Sequence, residues 1–130
     1  MSGETDLATL IASMRPRLES TVYVWATVPF GTQVPDAVVT VREAEGLTVV
    51  LPQARGDELG LDYEFPSARI TLEVHSALEA VGLTAAFAQT LTDQGISANV
   101  VAGFHHDHIF VPFDRAVEAT AALERLAAGA

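Results

Sequence analysis

The sequence predicts an α+β fold, a mostly antiparallel sheet with its helices on one face. Three observations predict it. Strand-like and helix-like segments alternate along the chain. Two pairs of neighbouring strands are joined by turns at Glu45-Gly46 and His105-His106-Asp107, too short for a parallel crossover. Three segments, over 7–18, 83–91 and 116–126, place apolar residues three and four apart.

Leu7, Leu10, Ile11, Met14 and Leu18 form the first apolar stripe. A helix is expected over about residues 5–15, capped by Thr5 and ended by Pro16. Val22 to Val28 is a β-branched and aromatic run, a strand apolar on both faces. Ala37, Val39 and Val41, then Leu47, Val49 and Leu51, alternate with their neighbours around Glu45-Gly46 and predict a hairpin. Residues 52–60 have room for one helical turn, since Gly56 and Gly60 disfavour more. Ile70, Leu72 and Val74 predict a half-buried strand. Leu83, Ala86, Phe87, Thr90 and Leu91 predict a helix, with Gly95 where a C′ glycine is wanted. Ile96–Phe104 and His108–Pro112 read as paired strands. Asp114 is the expected N-cap of a last helix carrying Ala116, Ala119, Leu123 and Leu126. The second half therefore reads βαββα, one strand short of a ferredoxin-like βαββαβ unit, and the first half is incomplete as well. A strand lent between halves or between copies would complete both. The bare face of such a sheet needs cover, and self-association is the economical source.

Composition bounds the function. The 130 residues hold seven basic residues, all Arg, against 17 Asp and Glu, for a net charge of −10. That argues against nucleic acid, which demands a basic patch, and against charge-driven docking on anionic lipid. Cysteine is absent, which removes disulfides, thiolate nucleophiles and Cys-held metal sites. An apolar share of 49% supports a packed core. No stretch reaches the roughly 18–20 apolar residues of a membrane span. The acidic start, Met1 to Asp6, is unlike a secretion signal, so a cytoplasmic location is the default expectation.

Glu43-Ala44-Glu45-Gly46-Leu47-Thr48-Val49-Val50-Leu51-Pro52 in the first half, and Val81-Gly82-Leu83-Thr84-Ala85-Ala86 followed by Gly95-Ile96-Ser97-Ala98-Asn99-Val100-Val101 in the second, carry a family resemblance. The chain resembles ACT-domain proteins over nearly its whole length, in particular small bacterial tandem-ACT proteins of no assigned function. The resemblance implies a ferredoxin-like (ACT) sandwich in two ACT-like halves, 1–66 and 67–130. It implies a regulatory, non-enzymatic module without a cofactor, associating as a homodimer or tetramer and binding a small molecule, often a free amino acid. The pocket it implies is formed by Val81, Gly82 and Leu83 with Ile96, Ser97 and Asn99. Local chemistry agrees: Gly82 permits close backbone approach, the free N–H groups of a helix starting near Leu83 suit a carboxylate, and Ser97 and Asn99 can accept from an ammonium group. No catalytic domain accompanies these halves, so a ligand signal would pass to a separate partner.

His105-His106-Asp107-His108 supports a different reading, a metal-binding protein or an enzyme built on this turn. On an extended strand His106 and His108 share a face and His105 points away, so one chain offers two or three ligands, and a polar hairpin turn competes with that reading. A third alternative is an interaction domain that has lost its ligand. The remaining motifs favour structural roles: Ser76-x-x-Glu79 as a capping box rather than a His75–Ser76 dyad, Tyr23 and Trp25 as packing on one strand face, and Asp57, Glu58, Asp62 and Glu64 as solvated acids without a calcium loop. Gly56, Gly60, Gly82 and Gly103 stand singly, as turns or bulges.

Overall fold

A computed structural model of the chain describes residues 6–74 and 80–129. The packing divides into two compact units, residues 1–19 with 68–130, and residues 20–67. Thr5, His75, Ser76 and Glu79, with the cap, dyad and capping-box readings attached to them, lie outside the described residues.

In the smaller unit, β2 (Tyr23–Val28), β3 (Val39–Glu43), β4 (Gly46–Pro52) and the start of β5 (Glu64–Leu72) are ordered β3-β4-β2-β5. The β3–β4 hairpin closes with Glu43 opposite Gly46, as the alternation predicts. Gly46 stands at φ +152°, and a Cβ there would come 3.0 Å from both Thr27 Oγ1 and the Val28 carbonyl oxygen. Val24, Val28, Val49 and Leu51 form the core, flanked by Ala26, Leu47 and Tyr63. The short helix α2 (Gln53–Glu58) keeps Gly56 buried, with the Tyr63 ring 3.2 Å from where a Cβ would stand. Gly56 is thus a packing glycine inside a helix rather than a turn. The Tyr63 hydroxyl donates to Asp57 Oδ1 (2.9 Å) and accepts from Gln53 Nε2 (3.1 Å), which fastens the ring in place.

In the larger unit, α1 (Leu7–Ser13) is capped by Asp6, whose carboxylate accepts from the Thr9 N–H at 3.0 Å. The helix is shorter than the stripe suggested and hands over at Met14 to β1 (Pro16–Leu18), a strand the sequence reading did not include. β1 runs antiparallel to the end of β5, with Pro16 opposite Leu72 and Leu18 opposite Ile70. It supplies the strand missing from βαββα. β7 (Asp107–Pro112) lies between β5 and β6 (Asn99–Ala102), and Ala102 stands opposite Asp107 where the hairpin turns. β6 is shorter than expected, because Ile96 serves the helix before it: its N–H donates to the Leu91 carbonyl at 3.0 Å.

α3 (Leu83–Asp93) and α4 (Ala116–Gly129) pack with α1. Leu83, Phe87 and Leu91 are buried on α3, and Ala116, Ala119, Ala122 and Leu123 on α4. They share one core with Leu10, Met14, Ile70, Leu72, Ile109 and Val111. Gly95 stands at φ +70° just beyond α3, as a C′ glycine should. Asp114 is not the cap of α4. It falls inside a 3₁₀ turn, Phe113–Arg115, that precedes the helix and follows Pro112 directly. Among the described residues no helix is long and apolar enough to cross a membrane.

Candidate functional site

The chemistry of the larger unit concentrates where β5 ends and β7 begins. Thr71 Oγ1 lies 3.2 Å from His108 Nδ1, which sets these two strand ends side by side. Ten residues beyond β5 the chain enters α3. The β6–β7 turn is tight: the Gly103 N–H donates to the His106 carbonyl at 2.9 Å. A Cβ on Gly103 would stand 2.8 Å from that carbonyl oxygen and 3.2 Å from His108 Nε2. Only glycine leaves the His108 ring room against this turn.

Asp107 is the notable group. Ile109 and Val111 are core residues, and the two-residue period of a strand puts Asp107 on their face. It is 8% exposed. Among the described residues its side chain has neither an ion-pair nor a hydrogen-bond partner. Burial pushes its carboxyl above the ordinary value, with the charge of His106 pulling the other way. Beside it, His106 Nδ1 is buried without a hydrogen-bond partner among the described residues. Burial holds His108 below the ordinary imidazole value. Arg69, His106 and Arg17 add to that, and Glu19 opposes it. A buried carboxyl group without a hydrogen-bond partner is costly, and such groups concentrate at functional sites.

The predicted pocket residues fall in two places. Val81, Gly82 and Leu83 form the entry to α3. Gly82 is the N-cap residue at φ +100°, its carbonyl accepts from the Ala86 N–H at 2.9 Å, and no side chain caps the first turn. Val81 is 83% exposed, while Leu83 is buried in the core. Ile96, Ser97 and Asn99 follow the far end of α3, an 11-residue helix and therefore roughly 16 Å long. Ile96 is buried, and Ser97 and Asn99 are exposed. The two groups flank opposite ends of α3.

The rings of His105 and His106 lie 6.3 Å apart between centroids. The His105 ring stands edge-on to Phe104 at 5.1 Å between centroids, and His108 turns to Thr71. Among the described residues no group of three or more His, Cys, Asp or Glu side chains is arranged to hold a metal ion. The burial of Asp107 is what the sequence reading missed. The signal was the alternation Asp107, Ile109, Val111, which placed it inward.

Comparison with known proteins bears on the whole chain. A crystal structure of a Vibrio cholerae protein of unknown function, described as a possible transport protein, is 46% identical over 93% of this chain and 95% of that one, with a TM-score of 0.82. An Agrobacterium tumefaciens protein superposes with a TM-score of 0.72 at 17% identity, covering 88% of this chain and 89% of its own. The ligand-free regulatory subunit of aspartate kinase from Thermus thermophilus does so at 0.65 and 9% identity, over 85% of this chain and 95% of that one. These last two likenesses concern the fold alone. No curated protein matches the sequence. Two family models, each describing an ACT domain, match in tandem over residues 2–68 and 64–125. With both stretches matched and α+β elements in the order found here, the chain belongs to the ACT-domain family.

Proposed function

We propose that this protein is a regulatory module that binds a small molecule, a free amino acid, and acts as a homo-oligomer rather than as an enzyme. The observation that carries the reading is Asp107, a carboxyl group buried at a strand end with no ion-pair or hydrogen-bond partner among the described residues and only the charge of His106 beside it. A ligand ammonium group supplies a direct ion-pair partner. The uncapped first turn of α3 behind Gly82 supplies N–H groups for a ligand carboxylate. Ile96, Ser97 and Asn99 lie a helix length away, so they join the niche only from a second copy. That gives the ligand a means of favouring one association state over another, since only a difference in affinity shifts such an equilibrium. The likeness of the fold to a regulatory subunit of aspartate kinase supports a regulatory role. The tandem family matches support two ACT-like halves, 1–66 and 67–130.

Titration calorimetry against the common amino acids, paired with light scattering, tests the proposal. Binding of one or a few amino acids is expected, weakened about tenfold or more in Asp107→Asn by loss of a charged hydrogen-bond partner. The scattering mass should exceed that of one chain. Absence of heat with every amino acid, together with a monomeric mass, would discard it.

A further inference from the structure

A concave site lies in the larger unit, where the α1–β1 corner faces the last turns of α4. The cleft is open to solvent, holds about 350 Å³ and is lined by Ala12, Met14, Ala127 and Ala128, with Arg15 and Glu124 as its charged members. Volumes of a few hundred Å³ are those of small-ligand pockets. The three alanines keep the cleft open, and Met14 is 1% exposed and gives it a firm apolar floor.

Arg15 is held in a definite pose. Its Nη1 donates to the Ala12 carbonyl at 3.3 Å and to the Met14 carbonyl at 3.0 Å. With Nη1 tied back, the Nε–Nη2 edge of the guanidinium has no partner among the described residues. That edge is a two-pronged fork suited to a carboxylate. Glu124 likewise has no ion-pair or hydrogen-bond partner among the described residues, and it does not pair with Arg15 although both line the cleft. The C-terminal carbonyls of α4 add negative potential on the side of Glu124. A simple anion would meet Glu124 unfavourably, and a simple cation would meet Arg15. A molecule carrying both charges satisfies the two at once.

We infer that this cleft is a site for a short zwitterion, an α-amino acid or dipeptide with small side chains, its carboxylate on Arg15 and its ammonium group on Glu124. The site is independent of the Asp107 niche, with which it shares no residue. The test is two-dimensional ¹H–¹⁵N NMR of the full chain titrated with alanine and dialanine, with acetate and methylamine as single-charge probes. Shifts are expected at the amides of Arg15, Ala127 and Ala128. They should saturate for at least one zwitterion and need about tenfold more acetate or methylamine. Arg15→Gln and Glu124→Gln, both surface changes, should each weaken binding about tenfold while the remaining spectrum stays folded. Shifts confined to Gly82, Leu83 and Asp107 would overturn this inference while sustaining the niche reading. Shifts at the cleft that ignore both substitutions, or no shifts with any probe, would also overturn it.

Discussion

At Gly82 the backbone stands at φ +100°, and a Cβ would come 3.0 Å from a Leu7 methyl group on α1. Gly95, at φ +70°, has nothing within 4 Å of that position. Comparing Gly82→Ala with Gly95→Ala therefore separates backbone strain from crowding. Both should lose about 1–2 kcal/mol from the left-handed backbone alone. Gly82→Ala should lose the more, by up to about 1 kcal/mol, with Leu7 displaced. Urea denaturation of the two variants measures the difference, and equal losses would show that Leu7 yields freely. Titration at His108 follows from its surroundings. Its folded value lies below the ordinary 6.5 because of burial first, then Arg69, His106 and Arg17. Above 6.5 both folded and unfolded forms are neutral and stability is complete. As the pH falls below 6.5 the unfolded chain takes up the proton first, so stability declines until the folded value is passed. Asp107 has the opposite sign: its carboxyl is raised above 3.8, so its contribution is intact below 3.8 and is lost as the pH rises through the folded value. Between pH 7 and about 6 the decline belongs to His108. His108→Asn, whose amide stands where Nδ1 did, should flatten stability in that window as measured by urea titration at successive pH values.

Elements were legible where their signal was local. Leu83, Phe87 and Leu91 announced α3, Gly95 announced its stop, and both hairpins followed from alternation around short turns. The strand that was missed has its partner distant in sequence. Pro16-Arg17-Leu18 is too short to show a period, and becomes a strand only because Ile70 to Leu72 lie opposite it. The first half of β5 was hidden by Phe65, at φ +58°, and by Pro66, which cannot donate to a ladder. The register of β2 against β5 shifts there, between Tyr23 and Trp25, and such an irregularity accommodates both. Strand alternation could turn Asp107 inward, while nothing local measures the length of α3 between Leu83 and Ile96. On α4 the helical period makes a direct test. Leu123 is fully buried and Val117 is 78% exposed. Leu123→Ala should cost about 2–5 kcal/mol, and Val117→Ala should stay within about 0.5 kcal/mol. Thermal and urea unfolding of the pair distinguishes them, and similar losses would mean that the exposed face of α4 is covered in solution.

At the scale of the whole chain, the sequence repeat and the packing divide the protein differently. The family matches meet near residues 64–68, whereas packing assigns residues 1–19 to the unit that holds 68–130. The reason lies in the core. Leu10 is 0% and Met14 1% exposed, in the same cluster as Phe87, Leu91 and Leu123. The sheet makes a parallel contribution, because β1 covers the end of β5 and the Glu73 N–H donates to the Arg15 carbonyl at 2.9 Å. A fragment of residues 67–130 would expose the inner faces of α3 and α4 and leave one side of β5 unpaired. Loss of two buried side chains of this size costs about 4 kcal/mol or more, a large part of the 5–15 kcal/mol that holds a domain together. Residues 67–130 alone should therefore give poorly dispersed amide spectra and a non-cooperative thermal transition. Joining residues 1–19 to that fragment through a flexible glycine-serine linker should restore dispersion and a cooperative transition. The same joined fragment with Leu10→Asp and Met14→Asp should fail, because a carboxylate cannot occupy those buried positions unpaired. Cooperative folding of 67–130 alone would show instead that α1 and β1 merely decorate a unit already complete.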